Sequence, residues 1–269
     1  MRSIPHDYYL KFVDPDVLEQ IHNFHHKGNY TIHEAFKEIT YLHKLEESQL
    51  SILSMNELSL YPDMNLTIPI NSKNTKKLHF KRNESCSYFS NPEIDFETIE
   101  SLITPLLTKN KKTKKRHYPS GGALYPIEVF ICSLSEKNTT WPQPQKIFHL
   151  LPESNSLEIL QTNCNIQNLR KAILSDTEDL GTPSAALIYA TYLPKTIFKY
   201  RYRGYRLALM EAGSMYMLIE IQATALSLKS RLWSGYTDHM LSKAIGLNPA
   251  LFNPVCVHLI GNNNEHSKY

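Results

Sequence analysis

The chain has 269 residues, 42% of them hydrophobic, which is enough to bury one sizeable core, and its formal net charge of +3 does not by itself indicate nucleic-acid binding. The four cysteines form no CxxC pair, the amino-terminal stretch lacks the apolar core of a signal peptide, and no apolar run reaches the roughly 18 residues of a membrane span. We therefore expect a cytoplasmic protein without a disulfide framework, a cysteine zinc site, a membrane-spanning helix or a nucleic-acid partner.

The first part of the chain is predicted to be helical. Apolar residues at helical spacing predict one helix from about Pro15 to Gly28 and a further helical segment over 32–42. A polar stretch with prolines over 58–80 is predicted to be an irregular connection, and another helix is predicted over 95–107.

Strands are predicted in the middle and at the end of the chain. Continuous apolar runs over 127–134, 185–193 and 254–260 indicate buried strands, and the pattern over 147–160 indicates a hairpin. Because strands and helices mix without regular βαβ units, the fold class is predicted to be α+β rather than a doubly wound parallel sheet.

Two helices are predicted in the carboxy-terminal half. The long one, over 205–226, is apolar nearly all round, which is typical of a helix in a core or an interface. The short one covers 238–247. We divide the chain into a helical amino-terminal extension, residues 1–75, and a main domain, residues 76–269.

A basic run over 109–116 carries six cationic side chains. Two interpretations stay open: a solvated, mobile loop, or a rim that attracts an anionic cofactor or peptide electrostatically. The six residues are Lys109, Lys111, Lys112, Lys114, Lys115 and Arg116.

A glycine-rich motif begins at Arg116 and reads Arg-x-x-Pro-Ser-Gly-Gly-Ala-Leu-Tyr-Pro. Gly121 and Gly122 allow backbone N–H groups to approach a ligand where a side chain would clash, and Arg116 and Ser120 add donors that suit phosphate or a flavin edge. The motif is neither a Walker loop nor a nucleophile elbow. On these residues alone, two interpretations stay open: a small-ligand loop, or an ordinary Gly-Gly turn between a helix and a strand.

A second motif over 198–206, FKYRYRGYR, interleaves cations with tyrosines. This composition suits a polyanion such as RNA, but the segment leads directly into the long apolar helix. Positive charge in that place needs an internal anion, such as a cofactor phosphate. A solvated basic helix start is the alternative.

Both motifs closely resemble those of the azoline dehydrogenases, nitroreductase-like flavoproteins that accompany YcaO cyclodehydratases in thiazole and oxazole peptide biosynthesis. The resemblance is carried by RHYPSGGALYPIEVF from Arg116 and FKYRYRGYRLALMEAGSMY from Phe198. It extends to RLWSGYTD from Arg231 and DPDVLEQIHNFHHKGNY from Asp14, so that it spans nearly the whole chain. Two long motifs in the same order are far more specific than a lone glycine pair.

The resemblance implies an α+β, nitroreductase-like FMN-binding fold, with a mixed, mainly antiparallel sheet flanked by helices. It also implies a homodimer that binds FMN at the subunit interface and no metal. The family's catalytic pair falls on Lys199 and Tyr200. The cofactor-binding residues that the resemblance implies are Arg82, Arg116, Pro119, Ser120, Gly121, Gly122, Arg206 and Gly235.

The stretch over 81–88 departs from the superfamily pattern. Many nitroreductases carry an Arg-Ser-x-Arg phosphate motif, and the corresponding stretch here reads KRNESCSY. Arg82 and Ser85 match two of its members, and the second arginine is missing. Which cations hold the FMN phosphate therefore stays open.

The implied reaction oxidises peptide thiazolines and oxazolines to thiazoles and oxazoles during maturation of a ribosomally made, microcin-like antibiotic peptide. One ring carbon loses a proton to Lys199 or Tyr200 while a hydride passes to the flavin, and which residue is the base stays open. The implied partners are the precursor peptide, a YcaO-type cyclodehydratase and precursor-binding scaffold subunits. A generic nitro or quinone reductase and a non-catalytic scaffold subunit are the alternatives.

Overall fold

The computed structural model of the chain describes residues 6–29, 46–49, 81–90, 93–110, 112–135, 140–142, 147–160, 165–174 and 180–262. The predicted helical segment over 32–42 and the connection over 58–80 lie outside these residues. The described parts of Met1–Tyr30 and Arg82–Tyr269 form one compact unit. The domain boundary after residue 75 stays a prediction.

The two ends of the basic run pair as a short ribbon, whereas a solvated loop was one of its two interpretations. Thr108–Asn110 (β1) and Lys115–Arg116 (β2) pair antiparallel. The Asn110 side chain closes the turn by accepting hydrogen bonds from the N–H groups two and three residues later, at 2.9 and 3.2 Å. Arg116 is therefore both the last residue of β2 and the first residue of the glycine motif.

A six-stranded sheet forms the centre of the fold. Its strands are β3 (Ile127–Ser133), β4 (Ile147–Leu151), β5 (Ser156–Ile159), β6 (Ala185–Tyr192), β7 (Lys229–Trp233) and β8 (Phe252–Gly261). Their order is β5-β4-β3-β6-β8-β7, and every neighbouring pair is antiparallel. The α+β class, the three predicted strands and the predicted hairpin are confirmed. Strand β7 was not predicted, because its sequence KSRLW is short and half polar.

Six α-helices surround this sheet in the described residues. They are α1 (Pro15–His26), α2 (Phe96–Ile103), α3 (Ile166–Leu174), α4 (Pro194–Tyr200), α5 (Tyr202–Ala225) and α6 (Asp238–Ala244). The carboxylates of Asp14 and Asp95 cap α1 and α2 by accepting backbone N–H groups of their first turns. The sequence predicted neither α3 nor the separate helix α4, which lies between the predicted strand over 185–193 and the predicted helix over 205–226.

The two faces of the sheet support separate hydrophobic cores. Side chains alternate between the faces of a strand. Ile131 and Leu187 therefore pack in the core that contains α2 and α5, whereas Phe130 and Ile188 pack in the core that contains α3 and α6. Among the described residues, no helix combines the length and the apolar character that crossing a membrane requires.

Candidate active site

The glycine motif folds into a loop whose backbone is strained. Gly122, Ala123 and Tyr125 all have positive φ angles, of 65°, 54° and 51°. The Ser120 hydroxyl accepts a hydrogen bond from the Tyr125 N–H at 2.9 Å and holds the two ends of the loop together. Positive φ in residues other than glycine costs about 1 to 3 kcal/mol per residue, and such strain concentrates at functional sites.

Helix α4 brings the predicted catalytic pair to this loop. A Cβ built on Gly122 would stand 2.7 Å from the Tyr200 hydroxyl oxygen and 3.2 Å from the Lys199 Nζ. The Lys199 ammonium also lies 5.1 Å from the centre of the Tyr200 ring. The two motifs that sequence reasoning identified separately therefore meet at one glycine, where a side chain would displace both polar groups.

A strained residue separates α4 from α5. Arg201, directly after Tyr200, has a φ of 48° and a ψ of −133°, and it ends one helix and begins the next. At the crossing of the two helices, a Cβ on Gly204 would lie 3.1 Å from the Ile197 backbone, so a side chain there would force that backbone to shift. The Arg201 guanidinium pairs with Asp14 at 3.0 Å at the surface. The chain thus turns sharply beside the candidate catalytic pair.

Arg116 is fixed by two tyrosines of its own motif. Its Nη1 donates to the Tyr118 hydroxyl at 2.7 Å, and its guanidinium carbon lies 4.2 Å from the centre of the Tyr125 ring. Burial raises the pKa of Tyr118 above its ordinary value, although the Arg116 charge opposes the rise. Arg116 is therefore a preorganised positive charge next to the loop.

Glu211 of α5 lies buried beneath the loop, with 2% of its surface exposed. Neither of its oxygens has a hydrogen-bond partner of good geometry among the described residues. Burial raises its pKa to about 7, and interactions with Ser120 and Arg116 oppose the rise. The folded protein therefore binds a proton at Glu211 more tightly than the unfolded chain does.

This shift predicts a pH-dependent stability. Because the raised pKa makes the folded state hold more protons, the free energy of unfolding falls as the pH rises from the ordinary glutamate pKa through about 7. Through this group, the wild type is expected to lose on the order of 2 kcal/mol of unfolding free energy between about pH 5 and pH 8. Glu211→Gln is expected not to show this loss. Urea unfolding at both pH values measures it, with the exposed Glu97→Gln as control. An unchanged pH dependence in Glu211→Gln contradicts the prediction.

Arg82 belongs to a second group of charges around Glu220. Its Nε pairs with Glu220 at 3.1 Å, and its Nη2 donates to the Ser85 hydroxyl at 2.9 Å. Glu220 also accepts from Ser230 and His258, each at 2.8 Å. Burial alone would raise the pKa of Glu220, but these hydrogen bonds outweigh it and lower the pKa. The buried carboxylate thus holds Arg82 in place while part of the arginine stays exposed.

Within one chain, the predicted cofactor-binding residues at the glycine loop therefore lie apart from Arg82. Glu211, under the glycine loop, and Glu220, beside Arg82, lie about 14 Å apart along α5. Arg206 is exposed near the start of α5. Gly235 follows β7, where a Cβ would clash with the Trp233 indole at 2.5 Å.

Three charged residues that are buried or half-buried were missed by the sequence analysis. Glu128 lies in the apolar strand β3, Glu220 lies in the apolar helix α5, and Lys195 lies in the unpredicted helix α4. An acidic residue inside an otherwise apolar element was the available signal, because a charge is buried only when it is paired.

Comparison with known proteins gives likenesses over nearly the whole chain. Residues 81–262 match the nitroreductase family model. The microcin B17-processing protein McbC of Escherichia coli is 36% identical over 259 residues, which cover 94% of this chain and 93% of that protein. A chain in the structure of the E. coli microcin synthetase McbBCD complex with truncated pro-MccB17 bound matches with a TM-score of 0.87 and 34% identity, covering 98% of this chain and 99% of that one.

A more distant likeness concerns the fold alone. A putative nitroreductase from Ralstonia eutropha JMP134 matches with a TM-score of 0.57 and 14% identity, covering 76% of this chain and 89% of that chain. The predicted nitroreductase-like fold is confirmed.

Proposed function

This chain belongs to the nitroreductase family, and we propose that it is an FMN-dependent dehydrogenase that oxidises thiazolines and oxazolines of a microcin B17-like precursor peptide to thiazoles and oxazoles. The observation that carries the proposal is the convergence of Lys199 and Tyr200 on Gly122 in a chain 36% identical to a microcin B17-processing protein. The likeness supports the substrate, and the geometry supports Lys199 and Tyr200 as the reacting groups that the resemblance implied.

The loop has the features of a flavin-binding cradle. Gly122 is exposed and has no side chain to cover the loop backbone, Gly121 packs against the Leu207 side chain, and Arg116 supplies a fixed positive charge next to them. We assign Pro119 and Ser120 to the same wall of the site. A planar, partly anionic cofactor such as FMN fits this combination of close backbone and cationic support.

The phosphate end of FMN is assigned to the second group. Arg82 is oriented by Ser85 and Glu220 and keeps part of its side chain exposed, so it can contact an anion without losing its internal partner. Gly235 follows β7, and Arg206 lies on α5. We assign both residues to further contacts with the cofactor. These assignments are those that the resemblance implied.

In a homodimer, the group around the glycine loop and the group around Arg82 would together form complete FMN sites. Helix α5 exposes an apolar surface, in which Met210 is 68% exposed and Leu209 is 39% exposed. A Cβ on Gly213, on the same helix, would have nothing within 4 Å, which leaves room for a second backbone to approach closely. We propose that two copies pack through this surface and that each FMN contacts both.

The chemistry that bound FMN supplies is acceptance of a hydride. Either Lys199 or Tyr200 takes the proton that leaves the azoline ring, because both polar groups reach the loop that we assign to the cofactor. The short distance from the Lys199 ammonium to the Tyr200 ring lets one residue act as base while the other orients or stabilises it. The strained turn at Arg201 fixes the end of α4 and therefore the reach of both side chains.

The proposed partners follow from the same likeness. The chain matches a component of a synthetase complex that was solved with a truncated precursor bound. We propose that this chain also acts on a precursor peptide, within an assembly that contains a YcaO-type cyclodehydratase and precursor-binding scaffold subunits. The cytoplasmic location stays a prediction.

The purified full-length protein provides the test. We expect a yellow, dimeric protein that converts a synthetic thiazoline-containing peptide to the thiazole, seen in mass spectra as the loss of two hydrogen atoms. A colourless protein without activity would support the scaffold alternative. Turnover of small nitro compounds or quinones with NAD(P)H, without thiazoline oxidation, would support a generic reductase and contradict the proposal.

A further inference from the structure

The helix that carries the candidate catalytic pair is anchored by a half-buried ion pair. Lys195, in the first turn of α4, donates to Glu128 of β3 at 2.7 Å and to the Tyr125 carbonyl oxygen at 3.2 Å. The Lys195 side chain is 22% exposed and that of Glu128 is 16% exposed. One ammonium group therefore ties together the catalytic helix, the end of the glycine loop and the central sheet.

Helix α4 needs such an anchor because it is short. It has seven residues, its first residue is a proline, and no side chain caps its N-terminus. Isolated helices of this length are unstable in water, so tertiary contacts must fix its position. Ile197 and Leu193 pack it against Val17 and Ile21 of α1. The pair of Lys195 with Glu128 adds a directional polar contact to these apolar ones.

Glu128 is ionised in this pair, and His149 connects it to a carboxylate at the surface. Burial acts to raise the pKa of Glu128, but Lys195 and His149 outweigh it and hold that pKa well below its ordinary value. His149 approaches the second Glu128 oxygen at 3.1 Å and the exposed Glu158 at 3.1 Å. The carboxylates of Glu128 and Glu158 raise the pKa of His149, although burial acts to lower it. Glu128 is therefore saturated by two partners and stays ionised at neutral pH.

We propose that Glu128 and Lys195 are positioning residues that set where Lys199 and Tyr200 stand relative to Gly122. Lys199 follows Lys195 by one helical turn, so a displacement of the first turn carries the Lys199 amine with it. Misplacement of reacting groups by about 1 Å can lower a rate by about 100-fold. This inference rests on the proposed catalytic role of Lys199 and Tyr200.

Two variants and one matched control test it in the full-length, FMN-loaded protein. Glu128→Gln and Lys195→Met break the ion pair, whereas Glu158→Gln alters only the exposed end of the same chain of contacts. We expect both pair variants to keep their FMN and to lose about tenfold in kcat on a synthetic thiazoline peptide, with KM changed less than about twofold. Glu158→Gln is expected to match the wild type.

Amide hydrogen exchange gives a readout that does not depend on the reaction. In both pair variants, exchange in α4 is expected to rise about tenfold while exchange in the central strand β6 stays at the wild-type value. Unchanged exchange in α4 overturns the proposal, and so does an equal rise in β6, which would indicate a general loss of stability. Faster exchange in α4 with an unchanged kcat also overturns it. If the wild type itself does not oxidise the peptide, the proposed function fails, and the exchange result still decides whether the pair positions α4.

Discussion

Lys199→Ala is expected to leave the protein folded and flavin-bound but to lower kcat for thiazoline oxidation by about 100-fold or more. The Lys199 Nζ stands 3.2 Å from the position of a Cβ on Gly122, on the loop that we assign to the cofactor. Alanine removes the amine and leaves a good helix former, so α4 itself should persist. FMN occupancy is measured by flavin absorbance and turnover by mass spectrometry.

Lys243→Ala is the matched control, because it removes the same charge from an exposed position on α6. It should turn over at the wild-type rate. Tyr200→Phe, assayed in parallel, decides which residue is the base, since loss of the base lowers kcat more than loss of its neighbour. A yellow Lys199→Ala protein that aromatises thiazolines at the wild-type rate would show that the proposed role of Lys199 is wrong.

Gly122→Ala is expected to reduce both activity and stability. Its φ of +65° strains any residue with a Cβ, which costs about 1 to 2 kcal/mol in the left-handed region. The new methyl group would also stand 2.7 Å from the Tyr200 hydroxyl, so that side chain must move. We expect kcat/KM for the thiazoline peptide to fall about 100-fold, because the reacting groups lose their relative position.

Gly28→Ala provides the comparison at a glycine without these constraints. Its φ is not positive, and a Cβ there would meet only the His25 carbonyl oxygen, at 3.4 Å. Its free energy of unfolding should change by less than about 0.5 kcal/mol, with activity unaffected. Urea unfolding and the peptide assay measure both variants. A fully active Gly122→Ala protein would contradict the assignment of this loop to the reaction.

The central strands and the two chemical motifs could be predicted from local sequence. Apolar runs located β3, β6 and β8, because a strand that is covered on both faces is apolar at most of its positions. The glycine pair was recognisable because close backbone approach requires glycine, whereas the Lys199–Tyr200 pair was implied by the family resemblance. Helix α4 was missed because its end depends on one strained residue, Arg201, whose conformation no local pattern specifies.

The sequence by itself determined the fold class, the family resemblance and the identity of the candidate catalytic pair. Only the tertiary structure placed Lys199 and Tyr200 at Gly122, paired Arg82 with Glu220, and joined Glu128 to Lys195. The physical reason is that periodicity and motifs record neighbours along the chain, whereas these contacts join residues far apart in sequence. Such pairs depend on the register of the sheet and on how each helix is rotated against it.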